Sequence, residues 1–172
     1  MRVVKPFLLI FLLFLIFIGS CGFQINRNRI TLPDGAQSIS LSQIINESFT
    51  PGLDVMLKEI LTSEFSNNSI PLKPQKSADL QLAFQIERFS LSKKEVTLNS
   101  QISYHHLFVI SGNLSLLDNR TGKNILEPAP LSGSFLLENL QDKASEMEVV
   151  ESRMKAVRNL GKLITEKLTQ NF

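Results

Sequence analysis

The chain has 172 residues, 43% of them hydrophobic and 20% charged, with one cysteine and no tryptophan. This balance excludes disordered, collagen-like and disulfide-framework proteins and predicts one domain. The formal charge of +2 resides in the first 20 residues, where Arg2 and Lys5 meet no acid; eighteen bases less these two leave sixteen against sixteen acids. Such a body lacks the basic excess of a nucleic-acid binder, and one cysteine excludes an internal disulfide or a multi-cysteine metal cluster.

Residues 1–20 read as a secretory signal: a basic start, Phe7 to Ile18 with no polar residue, then Gly19-Ser20. Twelve apolar residues at about 1.5 Å each span roughly 18 Å, too short for about 30 Å of hydrocarbon. Ile18-Gly19-Ser20-Cys21 resembles the bacterial lipobox, in which the cysteine receives a diacylglyceryl group and becomes the new N-terminus. Cys21 is therefore the expected lipidation site, and acyl chains contributing about 0.8 kcal/mol per buried methylene would tether the protein to its membrane. The resemblance to bacterial lipoproteins implies that Gly22, where an Asp would favour inner-membrane retention, directs the chain to the periplasmic face of the outer membrane.

Residues 21–35 form a polar linker with Arg27 and Arg29, ending in the turn signal Pro33-Asp34-Gly35. The single domain covers 36–172. Its first expected strand is Ser38 to Ile45, whose alternation slips at Ile44-Ile45. Pro51-Gly52 opens a helix in which Leu53, Met56, Leu57, Ile60, Leu61 and Phe65 share one face, and Asn67-Asn68-Ser69 stops it. After an extended Pro71 to Pro74, Leu80, Leu82, Phe84 and Ile86 alternate with polar or small residues as in a half-buried strand.

A turn is expected at Ser92-Lys93-Lys94. In the stretch from Val96 to Leu117, residues Ile102, Tyr104, Phe108, Ile110, Leu114 and Leu116 share one parity. One straight strand of that length would run about 70 Å, so a bend or break is predicted at Gly112 or His105-His106. Asp118 to Lys123 is a loop of turn formers. Ile125, Ala129, Leu131, Phe135 and Leu137 resume the alternation, and Pro128 and Pro130, which lack ladder donors, make this an edge or bulged strand. From Asp142 to Gln170 a long helix carries Met147, Val150, Met154, Val157, Gly161, Ile164 and Leu168 in one seven-residue rhythm. The economical fold is α+β, with two helices packed on one face of a mostly antiparallel four-stranded sheet.

No catalytic constellation emerges. His105 and His106 are neighbours in a strand and point to opposite faces, one packed and the other exposed, so they share neither a metal nor a nucleophile. Glu146, Glu148 and Glu151 are assigned to the wet side of the last helix, Asp118 to a turn, and Gly112 and Gly133 stand outside any phosphate-cradling pattern. The expectation is a non-enzymatic protein without cofactor or metal.

Cys21-Gly22-Phe23-Gln24-Ile25 after the signal, Ala78-Asp79-Leu80-Gln81-Leu82 opening a strand, paired strands around Asp118 to Gly122, and a last helix with Glu151 and Leu160 together resemble the LPS-assembly lipoprotein LptE family. Gln24 and Ile25-Asn26-Arg27 depart from the His or Leu-Arg that the family often carries. The resemblance implies a subunit seated inside the outer-membrane β-barrel LptD, supporting its folding and helping deliver lipopolysaccharide to the outer leaflet. Lys93 and Lys94, and Arg120 and Lys123, lie at opposite ends of the middle strand of a meander, so one end is expected to meet lipid A phosphates. The alternative is a periplasmic lipoprotein of another envelope transport system that holds a lipid or small ligand between sheet and helices.

Overall fold

In the computed structural model, residues 31–98, 101–139 and 143–169 are described; the signal, Cys21 and the linker up to residue 30 lie outside them. The chain order is β1 (Ile39–Asn46), α1 (Leu53–Asn67), β2 (Leu80–Leu98), β3 (Gln101–Asp118), β4 (Lys123–Asn139) and α2 (Glu146–Thr169). The four strands form one sheet in the order β1-β2-β3-β4. β2, β3 and β4 are antiparallel neighbours, whereas β1 runs parallel to β2. A parallel pair needs a crossover, and α1 supplies it.

α1 buries Leu53, Leu57, Leu61 and Phe65 completely, one residue per turn on the face that the sequence spacing marks. They join Leu80, Leu82, Phe84 and Ile86 of β2 and Phe108, Ile110, Leu114 and Leu116 of β3 in a single core. Both helices share that core, so they cover one face of the sheet. This is the expected α+β architecture.

Three local expectations are corrected. Ser92-Lys93-Lys94 is not a turn: β2 continues through it to Leu98, which pairs with Gln101 of β3. The reason is a bulge. Ile86 pairs with Gly112 and Arg88 with Ser111, so Glu87 is an extra residue and the core-facing parity changes from Leu82, Phe84 and Ile86 to Phe89 and Leu91. Broken alternation imitates the end of a strand.

β3 in turn neither breaks nor bulges at Gly112 or His105-His106; it is one strand, and the irregularity sits on its partner. Gly112 is nonetheless required there, because a Cβ would stand 2.1 Å from the Gln85 carbonyl oxygen. On the other side, Leu114 and Leu116 pair with Ala129 and Leu126. Glu127-Pro128 therefore oppose a single residue, which is the bulged edge strand that the prolines imply.

The third correction concerns α2, which begins at Glu146 and not at Asp142. Its stripe is buried at Val157, Gly161, Ile164 and Leu168, but Met147 is 80% exposed, Val150 52% and Met154 37%. A Cβ at Gly161 would meet Ile60 of α1, and Asn68 and Thr169 border one small cavity, so the helices ascend together. At equal rise per residue, Leu53 stands level with about residue 154. The first two turns of α2 thus project past the start of α1, and the side that α1 would cover stays open.

Candidate functional site

The sheet has two ends with different chemistry. At the proximal end, where β3 turns into β4, the chain arrives from the linker and docks: Leu32 and Ala36 are buried around the turn Pro33–Gly35. The backbone N–H of Gln37 and the hydroxyl of Ser38 donate to Asp79 Oδ2 at 2.8 and 3.0 Å. These bonds, the first above all, hold the Asp79 carboxyl below its usual range.

Across the end of the sheet, Arg120 donates from Nε to Asp118 Oδ1 at 3.0 Å and from Nη2 to Oδ2 at 2.9 Å. Its backbone N–H adds a third bond to Oδ1 at 2.8 Å. The side-chain bond from Arg120 leads the causes that bring the buried Asp118 carboxyl from 3.8 to about 2. The same Nη2 reaches the Asp34 carbonyl at 3.2 Å, so this guanidinium joins the linker to the β3–β4 turn. Arg120 and Lys123 are both exposed, but the Arg120 guanidinium is committed to partners within the protein.

At the distal end, Lys93 pairs with His106 and Lys94 with His105 across β2 and β3. Twelve residues of β3 separate His106 from Asp118, about 40 Å at strand rise, so the two basic pairs do lie far apart. Lys93 faces the helix side and holds its ammonium 5.3 Å above the Tyr104 ring; Lys94 faces the opposite side and is exposed. The histidines diverge as expected. His106 is buried at 4% exposure, with no hydrogen-bond partner on Nε2 among the described residues, and His105 lies 3.9 Å from Glu138 on the other face.

Sequence reasoning overlooked the cap of α2. Ser145 donates from N and Oγ to Glu148 Oε2 at 2.7 and 2.8 Å, and the Glu148 N–H returns a 3.3 Å bond to Ser145 Oγ. The Ser145-x-x-Glu148 spacing is the signal that could have found it. Ser145 also keeps the Glu148 carboxyl below its usual range, and Asn139 donates to its other oxygen at 3.3 Å. Glu148 is thus a structural cap on the sheet side, not a wet-side acid. Among the described residues no group of three or more His, Cys, Asp or Glu stands together as a metal site would.

Apolar side chains gather around this distal half. Leu91 and Ile102 are exposed on the helix side, Leu107 and Leu136 on the opposite side, and Met147 and Val150 on the first turns of α2. Nearby bases stand over aromatic rings: Arg153 Cζ is 5.5 Å from the Phe89 centroid and Lys155 Nζ 4.8 Å from that of Phe135. The distal half therefore sets bases beside exposed apolar side chains, with Glu95, Glu138, Glu146 and Glu151 among them.

The face of the sheet away from the helices is covered by no element among the described residues. Gln85, Ser90, Ser92, Ser111, Asn113, Ser115, Ser132 and Ser134 line it, as the register dictates. At the Glu87 bulge it dips into a shallow depression of about 450 Å³ bordered by Arg88, Ser111, Pro130 and Ser132. Asn113 donates to Glu87 there at 2.6 Å.

No protein-family model and no curated protein matches the chain. Solved structures do. A minor lipoprotein of Acinetobacter baumannii superposes with a TM-score of 0.50 at 13% identity, over 77% of this chain and 92% of the other. A hypothetical protein of Chlamydia trachomatis gives 0.54 at 10% identity over 77% and 95%, and a Xanthomonas campestris protein gives 0.50 at 14% over 80% and 86%. At these identities the likeness is one of fold: two helices laid on one face of a four-stranded sheet, an architecture found in a solved bacterial lipoprotein.

Proposed function

We propose that this chain is a bacterial envelope lipoprotein, acylated at Cys21 and held at the periplasmic side of the outer membrane, with an LptE-like role. In that role it is a non-enzymatic subunit that plugs an LptD-like β-barrel, assists its assembly and helps insert lipopolysaccharide into the outer leaflet. The observation that carries the reading is the uncovered Ser-, Asn- and Gln-rich face of the sheet. It runs along strands of 17 to 19 residues, about 60 Å at strand rise, and barrel lumens are polar. A surface so rich in Ser, Asn and Gln, with Leu107 and Leu136 as its exposed apolar residues in the distal half, suits such a wall.

Lipopolysaccharide combines phosphates with acyl chains, and the distal half offers Lys93 on the side of exposed Leu91, Ile102, Met147 and Val150, and Lys94 on the side of exposed Leu107 and Leu136. At the proximal end Arg120 already holds Asp118, which leaves Lys123. The apolar side chains around the distal pair make it the better candidate for contact with a phosphate that carries acyl chains. The competing reading, a ligand held between sheet and helices, finds little support: side chains such as Phe65, Phe84, Leu57 and Leu82 fill that layer.

Extraction of the lipoprotein in mild detergent from its own envelope tests the proposal. A large β-barrel retained in one-to-one ratio is the expected result. A lone monomer carrying an extractable small ligand would overturn it, as would an unmodified Cys21 thiol in the mature protein by mass spectrometry.

A further inference from the structure

Phe49, at the apex of the loop between β1 and α1, is exposed to 107% of its reference area. The loop holds it there. Asn46 Nδ2 donates to the Thr50 carbonyl at 2.8 Å, the N–H and hydroxyl of Ser48 donate to Asn46 Oδ1 at 3.0 and 2.6 Å, and the Thr50 N–H donates to Ser48 Oγ at 3.3 Å. This is a side-chain-closed turn. Pro51 then fixes its own φ, and Gly52, at φ 80°, turns the chain into α1. Leu53, four residues after Phe49, is completely buried, so the core is close and the loop geometry keeps the ring away from it. Ile45 and Val55, on either side of the loop, are exposed as well.

A large apolar side chain fixed outward needs little ordering on contact, which is how an interface anchor is pre-organised. The charges around it select the kind of surface. From Thr31 to Leu57 the charged residues are Asp34, Glu47 and Asp54, and the bond from the Glu47 N–H to the Ile86 carbonyl brings a further acid, Glu87, and one base, Arg88, alongside. Loops that dip into anionic membranes pair apolar residues with Lys or Arg; this one pairs them with acids, which an anionic bilayer repels. A protein surface imposes no such penalty.

We infer that Phe49 is an anchor for protein assembly, inserting into an apolar pocket with a neutral or basic rim on the protein that binds this chain. The inference rests on the reading above, which makes that partner the outer-membrane barrel. A single aromatic anchor in an otherwise polar contact fixes one seating of the two proteins and carries a disproportionate share of the affinity.

The test uses the full-length lipoprotein in its own envelope. Phe49→Ala is expected to lower the barrel retained after detergent washing by about tenfold or more, and Phe49→Leu by no more than about threefold, in keeping with a truncated anchor. Circular dichroism of both purified variants should match the wild type. A photo-crosslinking amino acid at position 49 should trap the barrel. Unchanged retention by Phe49→Ala beside a wild type that holds its barrel overturns the anchor and leaves the proposed function standing. Crosslinking to lipid alone, or to nothing, also overturns it. A wild type that retains no barrel removes both, and is recognised because the unmutated protein already comes out alone.

Discussion

Arg120 grips Asp118 with both arms of its guanidinium fork, at 3.0 and 2.9 Å, and with the same Nη2 holds the Asp34 carbonyl. One side chain thereby ties the end of the linker to the β3–β4 turn, through the geometry in which arginine and carboxylate interact most strongly.

That pairing has a pH signature. Asp118 releases its proton at about 2 in the native protein, against an ordinary 3.8. Below about pH 4 the unfolded chain therefore binds a proton that the native chain refuses, and stability falls until native Asp118 also protonates near pH 2. Arg120→Ala should be less stable than wild type at pH 7, with the gap closing as pH falls from about 4 to 2. Urea midpoints across that range measure it; a gap constant down to pH 2 would show that the pair contributes no acid sensitivity.

Gly133 lies where α2 rests on β4: an added Cβ would stand 2.5 Å from the Leu160 nitrogen and 2.6 Å from the Ala156 oxygen. Gly133→Ala must lift the helix or bend the strand. The expected cost is about 1–3 kcal/mol by overpacking, read as a lower urea midpoint.

The two halves of α2 should respond differently. Leu160→Ala removes a completely buried side chain and should cost about 2–5 kcal/mol. Met147→Ser and Val150→Ser, on the open side, should each change stability by no more than about 0.5 kcal/mol. Comparable losses at all three positions in denaturant titrations would mean that the whole stripe is covered.

Charge reversal separates the two ends. Lys93→Glu with Lys94→Glu should weaken lipopolysaccharide binding by about fivefold or more, with an effect that shrinks in high salt, and Lys123→Glu should change it little. Equal binding by all variants in a titration of the purified lipoprotein would remove phosphate contact from the distal end.

Much of the fold was legible because each element buries one face. The three-and-four spacing from Leu53 to Phe65 and the even parity from Ile102 to Leu116 identify α1 and β3 without tertiary information. The direction of β1 was not legible, since alternation within a strand carries no record of its neighbour's sense. The open start of α2 was hidden for a related reason: Met147, Val150 and Met154 share the rhythm of the buried residues, and only the position of α1 decides which part of the rhythm is covered.

For the site, the divergence of His105 and His106 followed from strand geometry alone. The commitment of Arg120 did not. It arises from a turn that brings a side chain back onto a carboxylate two residues earlier, a contact that no periodicity announces. Lys93 and Lys94 look like turn residues in the sequence because Glu87 had already put the strand out of step.

That extra residue works on the sheet as a frameshift works on a message. Were Glu87 paired like its neighbours, every downstream letter would stay intact and its meaning would invert: Phe89, Leu91 and Lys93 would look outward, and Arg88, Ser90 and Ser92 would be pressed beneath α2. One residue left out of the ladder keeps the same side of the strand inside along its whole length.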